Sequence, residues 1–243
     1  RTRYFGSPSK QTSVDLDDPG QLLLPYTRCL AASVLLSGAP RRVLLLGLGG
    51  GALVHFFRAH IPDARLEVVE CWDRALAVAR ELFALPEEGP QLAIHHGDAA
   101  DFVHAPPQGG EGFDLVLVDA FGPDGVSESV SGPAFFAACR RQLAPGGVVA
   151  ANLWSGNRRH FNRVIRDLEE GLAGELVRLP ASRGGNIILM GPVSPDTAAG
   201  LGALRPLARE LSEETGLDYV ALLDAMRYQP GRDTRRWRLP GLG

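Results

Sequence analysis

Arg41-Arg42-Val43-Leu44-Leu45-Leu46-Gly47-Leu48-Gly49-Gly50-Gly51-Ala52 is the stretch that decides the fold. Val43 to Leu46 is a short continuous apolar run, as a parallel strand buried on both faces requires. Gly47 to Gly51 follows, and Ala52 to His60 then reads as a helix. Glycine has a physical role in such a turn: without a Cβ, the backbone bends sharply and lets a ligand lie against it at a helix N-terminus. Four glycines in five residues favour nucleotide-like binding over a purely structural turn. The order is not Gly-x-Gly-x-x-Gly, because Ala52 and Leu53 follow, and this argues against a dinucleotide with its pyrophosphate.

Upstream, residues 1–25 read as an N-terminal arm or small β-hairpin, and Tyr26 to Leu36 as a helix stopped by Ser37-Gly38-Ala39-Pro40. Downstream, the expected order is strand Leu66–Glu70, helix Asp73–Phe83, strand Leu92–His95, a short helix at Asp98–Phe102, strand Phe113–Val118, helix Gly132–Leu143 and strand Gly147–Leu153. Strands alternating with helices at this rhythm imply right-handed βαβ units and a parallel sheet. A helix at His160–Leu172 precedes two late strands, Leu176–Leu179 and Asn186–Met190, expected antiparallel to the rest. Pro195 to Ala225 reads as helical, broken at Gly200-Leu201-Gly202 and at Gly216. Residues 26–228 are thus one main domain, and residues 229–243 a poorly ordered tail.

The 243 residues, 45% of them hydrophobic, suffice to bury one full core. A net charge of −3, with 25 basic and 28 acidic residues spread along the chain, leaves no footprint for nucleic acid. The apolar runs fall short of the ~20 residues of a membrane helix. No signal peptide is visible, although the chain opens at Arg1 without a methionine, as a chain that has lost an upstream segment would; the cytoplasm is the default expectation. Cys29, Cys71 and Cys139 stand far apart in no ligand spacing and read as reduced core residues.

Three acids end consecutive strands. Glu70, about twenty residues after the glycines, can accept from both ribose hydroxyls; the alternative is a strand-end acid facing solvent. Asp98, in Gly97-Asp98-Ala99, can accept from an exocyclic adenine amine while the Ala99 backbone meets the ring. Asp119 ends Val116-Leu117-Val118. All three point to the crevice where open α/β sheets bind ligands. Together with the glycine turn and the late hairpin they give the fold class: α/β, a Rossmann-like sheet of the class I methyltransferase type, mostly parallel with a late antiparallel hairpin and a short N-terminal β arm. His95-His96 has no partner at ligand spacing, so no metal is expected. Trp72, Trp154 and Trp237 read as packing residues, with Trp154 also placed to line an acceptor pocket. Arg158-Arg159 and Arg235-Arg236 read as solvated surface.

From Gln11 to about Leu153 the chain resembles the spermidine synthase family of polyamine aminopropyltransferases, and especially its divergent bacterial members. The pieces that carry the resemblance are Val43 to Gly51, the strand ending in Glu70, Gly97-Asp98-Ala99, Phe113 to Asp119 and Leu143-Ala144-Pro145-Gly146-Gly147. The resemblance implies a decarboxylated S-adenosylmethionine or S-adenosylmethionine donor and a small-molecule amine acceptor, with a homodimer as a candidate assembly. It implies that Gln11, Gly47, Gly49, Gly51, Glu70, Asp98, Ala99 and Asp119 bind the donor, with Asp119 and Tyr26 at the reacting amine. Two carboxylates of the family pattern are missing. Gly50 stands where the family's aspartate holds the donor's amine, and Gly122 stands where the catalytic loop has its second aspartate. Asp124 and Glu128 could replace that charge or be solvated loop acids. An S-adenosylmethionine-dependent methyltransferase and a non-catalytic nucleoside-binding homologue are the alternative functions.

Overall fold

In the computed structural model, residues 2–4, 10–107, 111–122, 125–126, 130–156, 158–181 and 185–229 are described. The chain begins with an antiparallel hairpin, β1 (Thr2–Tyr4) and β2 (Lys10–Ser13), then two short helices, α1 (Pro25–Ala31) and α2 (Val34–Ser37). Alternation follows: β3 (Arg42–Leu46), α3 (Ala52–His60), β4 (Arg65–Glu70), α4 (Asp73–Phe83), β5 (Leu92–His96), α5 (Ala99–His104) and β6 (Phe113–Val118). A small hairpin, β7 (Phe121–Gly122) and β8 (Gly125–Val126), leads to α6 (Pro133–Arg141) and the long β9 (Leu143–Trp154). The remainder comprises α7 (Arg158–Leu172), β10 (Glu175–Pro180), β11 (Asn186–Val193), α8 (Pro195–Ala199), a 3-10 helix at Leu201–Leu204, α9 (Arg205–Thr215), α10 (Tyr219–Ala225) and β12 (Arg227–Gln229).

Eight strands form one sheet in the order β12-β10-β11-β9-β6-β3-β4-β5. Its centre is apolar on both faces because successive side chains of a strand alternate sides. Val43 and Leu45 of β3, Leu115 and Leu117 of β6, and Val148 and Ala150 of β9 join a core that includes Phe56 and Phe57 of α3. Their alternates Leu44, Leu46, Val116, Val118, Val149 and Ala151 join a second core with Phe135 and Phe136 of α6 and Leu168 of α7. Helices therefore cover both faces, and truncating a central residue such as Leu45 to alanine would cost about 2–5 kcal/mol.

The chain runs outward from β3 through β4 to β5, then crosses back to place β6 on the other side of β3. That reversal opens a crevice at the carboxyl ends of β3 and β6, where such sheets bind ligands.

Several local readings change. The helix expected over Tyr26–Leu36 is broken into α1 and α2, where the Ser33 hydroxyl donates to the Leu30 carbonyl at 2.6 Å and competes with the helical pattern. Leu143 already pairs with Phe113, and the turn Ala144-Pro145-Gly146 lies inside β9 as a register shift before Val148 pairs with Leu115. Of the two late strands, β11 is antiparallel to both neighbours, whereas β10, antiparallel to β11, runs with the parallel strands. The added edge strand β12 pairs with β10 through Leu176 to Arg178. The tail expected from residue 229 lies outside the described residues from 230 onward, as do Trp237 and Arg235-Arg236.

Candidate active site

The first turn has φ values of +103° at Gly47, +56° at Gly49 and +79° at Gly51, a region that other residues rarely adopt. At Gly47 the requirement is also steric, because a Cβ would stand 2.5 Å from the Asp119 carbonyl oxygen. The ends of β3 and β6 touch there, and Asp119 N–H donates to the Leu46 carbonyl at 2.9 Å.

Glu70, at the end of β4, is buried, and the backbone holds both its oxygens. Leu48 N–H in the glycine turn donates to Oε2 at 3.1 Å, and Trp72 N–H donates to Oε1 at 2.9 Å. A carboxylate fixed in this way keeps lone pairs for a diol. Asp98 caps α5, its Oδ1 accepting from Ala100 N–H at 2.7 Å, and Ala99 beside it is buried. Gln11 lies in β2, and its side chain lies outside the described residues.

Asp119 is joined by side chains from two other elements, and a third element supports one of them. Tyr26, in the first turn of α1, donates its hydroxyl to the carboxylate, and Asn152 of β9 donates Nδ2 to Oδ1 at 2.8 Å. Asn186 of β11 donates its own amide to Asn152 Oδ1, also at 2.8 Å. That second bond decides the orientation of Asn152: its oxygen is taken by Asn186, so its amino group faces Asp119. Asp119 keeps part of its surface open to the crevice, yet the surrounding protein desolvates it. Burial lifts its pKa from 3.8 to about 7, the bonds from Asn152 and Tyr26 act against the rise, and the charge of Glu70 adds to it. Burial and the neighbouring Asp119 carboxylate push the Tyr26 phenol up, so it remains a donor at neutral pH. The crevice thus holds a carboxyl able to take up a proton near neutrality, beside two carboxylates fixed by backbone N–H groups.

Sequence reasoning missed Asn152, Asn186 and Thr12. Asn152 leaves a signal, an amide within the buried apolar run Val148–Leu153. Thr12 leaves none: its hydroxyl accepts from Gly50 N–H at 3.1 Å, across 38 residues. Other expectations are corrected. Trp72 and Trp154 are 65% and 47% exposed; placed just beyond β4 and at the end of β9, they cannot reach the core. Cys29 and Cys139 are buried, but Cys71 is exposed beside Glu70 at the crevice. His95 and His96 do have acidic neighbours: His95 Nε2 lies 3.2 Å from Glu67 Oε2, and His96 Nε2 lies 3.1 Å from Asp73 Oδ1. Arg42 shares Glu67 at 2.9 Å, so that carboxylate is already paired with a cation. Among the described residues no cluster of three or more possible metal ligands occurs, and no helix is long and apolar enough to cross a membrane. Asp124 and Glu128 lie outside the described residues, as does the side chain of Arg158; Arg159 is exposed.

A parallel sheet with a glycine turn after its first strand, acids at the next three strand ends and an antiparallel strand beside β9 is the architecture of nucleoside-binding transferases of the methyltransferase type. Residues 23–164 match the spermine/spermidine synthase domain. The chain is 34% identical over 227 residues to the polyamine aminopropyltransferase of Chromobacterium violaceum, covering 93% of this chain and 85% of that protein. It is 31% identical over 228 residues to the polyamine aminopropyltransferase of Neisseria meningitidis, with 93% and 85% covered. Among solved structures, a probable spermidine synthase from Corynebacterium glutamicum superposes with a TM-score of 0.70 at 23% identity, over 94% of this chain and 82% of that one. The chain belongs to the spermine/spermidine synthase family and is a transferase of the spermidine synthase type.

Proposed function

We propose that this protein transfers an aminopropyl group from decarboxylated S-adenosylmethionine to a small-molecule amine. Glu70 accepts from the ribose hydroxyls, Asp98 from the adenine amine, and the turn Gly47–Gly51 lies against the donor. The neutral acceptor nitrogen attacks the propyl carbon bonded to the sulfonium. The new C–N bond forms as the C–S bond breaks, its electrons return to sulfur, and methylthioadenosine leaves. The nitrogen, now cationic, gives its extra proton to Asp119.

The observation that carries the reading is the Asp119 carboxyl, poised at about pH 7 at the end of β6 with Tyr26 and Asn152 fixing it. An amine of ordinary pKa ~10.4 resists deprotonation at neutral pH by about 4–5 kcal/mol, so an adjacent base of matched pKa is the feature this chemistry asks for. The relatives named as polyamine aminopropyltransferases support the choice of transferred group.

The test is incubation of the purified chain with decarboxylated S-adenosylmethionine and putrescine or a longer diamine, read by mass spectrometry. Methylthioadenosine and an aminopropylated amine are the expected products. S-adenosylhomocysteine and a methylated amine from S-adenosylmethionine would instead make the protein a methyltransferase, and nucleoside binding without any product would make it a non-catalytic homologue.

A further inference from the structure

The strand order β6-β3-β4-β5 gives a bound nucleoside a direction. With the ribose at Glu70 on β4 and the base at Asp98 beyond β5, the rest of the donor runs back over the turn after β3 toward Asp119 on β6. Thr12 of β2 is packed on that turn and is only 3% exposed. Its Oγ1 accepts from Gly50 N–H at 3.1 Å. A Cβ added at Gly50 would stand 2.6 Å from Thr12 Oγ1, 2.8 Å from Cγ2 and 3.2 Å from Cβ. Contacts of 2.6 and 2.8 Å do not occur between well-packed atoms, so a side chain at position 50 cannot be seated without displacing the buried Thr12.

We propose that Thr12 is a specificity-determining residue for the donor. Its hydroxyl and methyl group take the volume that a charged side chain at position 50 would need, and so keep the turn itself free of a charged side chain. The proposal rests on the donor reading given above and adds how the donor is held: through its nucleoside, without a carboxylate at the turn to pair with an ammonium. Pairing a cation with a carboxylate in such a site ordinarily strengthens binding. Here that gain is missing at position 50 of the turn.

Two measurements on the full chain test this. In a thermal cycle, Gly50→Ala lowers the melting temperature by about 3–8 °C in the parent chain and by much less in a Thr12→Ala background, where Oγ1 and Cγ2 are gone; Thr12→Gly serves as a second background. An equal cost in all backgrounds would overturn the mutual exclusion. In calorimetric titrations, Thr12→Gly/Gly50→Asp gains about tenfold or more in affinity for the decarboxylated donor relative to methylthioadenosine. An unchanged ratio would show that the donor's tail does not meet position 50. Failure of the parent chain to bind either ligand would refute the donor reading and the ligand half of the proposal with it, while the thermal cycle still decides the packing half.

Discussion

Asp119→Asn isolates the one titration on which the proposed chemistry depends. The folded chain holds the Asp119 proton more tightly than the unfolded chain does, because desolvation lifts the pKa from 3.8 to about 7. The stability this proton contributes is fully present below about pH 4 and is lost as the pH rises through about 7. The lift from 3.8 to about 7, at ~1.4 kcal/mol per pH unit, sets an upper bound of about 4 kcal/mol, reduced by the access the carboxyl keeps to the crevice. Asparagine cannot ionise, so the variant should gain on the parent chain steadily between about pH 4 and pH 7 and hold a constant advantage above that. Urea unfolding at a series of pH values, analysed as the difference between the two proteins, reads this directly. A difference that stays flat across the window would mean that Asp119 titrates as an ordinary carboxylate, and the base assigned to the reaction would be lost. The same variant should bind methylthioadenosine normally and turn over no amine.

Other perturbations follow from the same contacts. Glu70→Gln should weaken methylthioadenosine binding by about 1–3 kcal/mol in calorimetry, through loss of charged hydrogen bonds, and unchanged affinity would remove Glu70 from the site. Asn152→Ala deletes a bond that stabilises the ionised carboxylate, so the acid limb of kcat should move up by about one pH unit; an unmoved limb would reduce Asn152 to a packing role. Gly47→Ala brings a Cβ to 2.5 Å from the Asp119 carbonyl at a φ of +103°, and urea unfolding should show a loss of about 2–4 kcal/mol. A loss under about 0.5 kcal/mol would mean that the β3–β6 contact yields easily.

What the sequence discloses is what its local pattern encodes. The helices Ala52–His60 and Asp73–Phe83 and the strand Phe113–Val118 match the structure to the residue, because a strong apolar period is bounded by glycines, loops or strand-end acids. Glu70, Asp98 and Asp119 were legible for the same reason: once the buried strands are recognised, their ends are fixed. Partners distant in sequence were not. Asn152 reaches Asp119 across 33 residues, and no period or spacing announces such a bond. β12 is a run of three residues, Arg227–Gln229, whose strand character comes from pairing with Leu176–Arg178 and not from its own composition. Ser33 broke a helix that its apolar neighbours favoured, through one side-chain bond to Leu30. Trp72 and Trp154 were assigned to packing by residue type, whereas their positions past strand ends put them at the surface.

The three acids divide their work according to what holds them. Glu70 and Asp98 accept from backbone N–H groups of Leu48, Trp72 and Ala100, which the fold sets in place and no side-chain motion can withdraw; such carboxylates suit the fixed ribose and base contacts proposed for them. Asp119 instead takes hydrogen bonds from the Tyr26 phenol and the Asn152 amide, and their stabilisation of the ionised form falls short of the cost of its desolvation. The balance leaves it near neutrality, with the charge of Glu70 adding to the lift. A donor whose sulfonium lies over the β3 turn would bring positive charge toward Asp119, and a cation favours the ionised carboxylate. Donor binding should therefore lower the Asp119 pKa and ready the base before the amine arrives. The return of sulfur to neutrality on C–S cleavage removes that charge as the proton is delivered, which favours its uptake. In the proposed reaction one carboxyl would serve both halves of the cycle, and the Asn186–Asn152 bond behind it fixes the orientation of its partner.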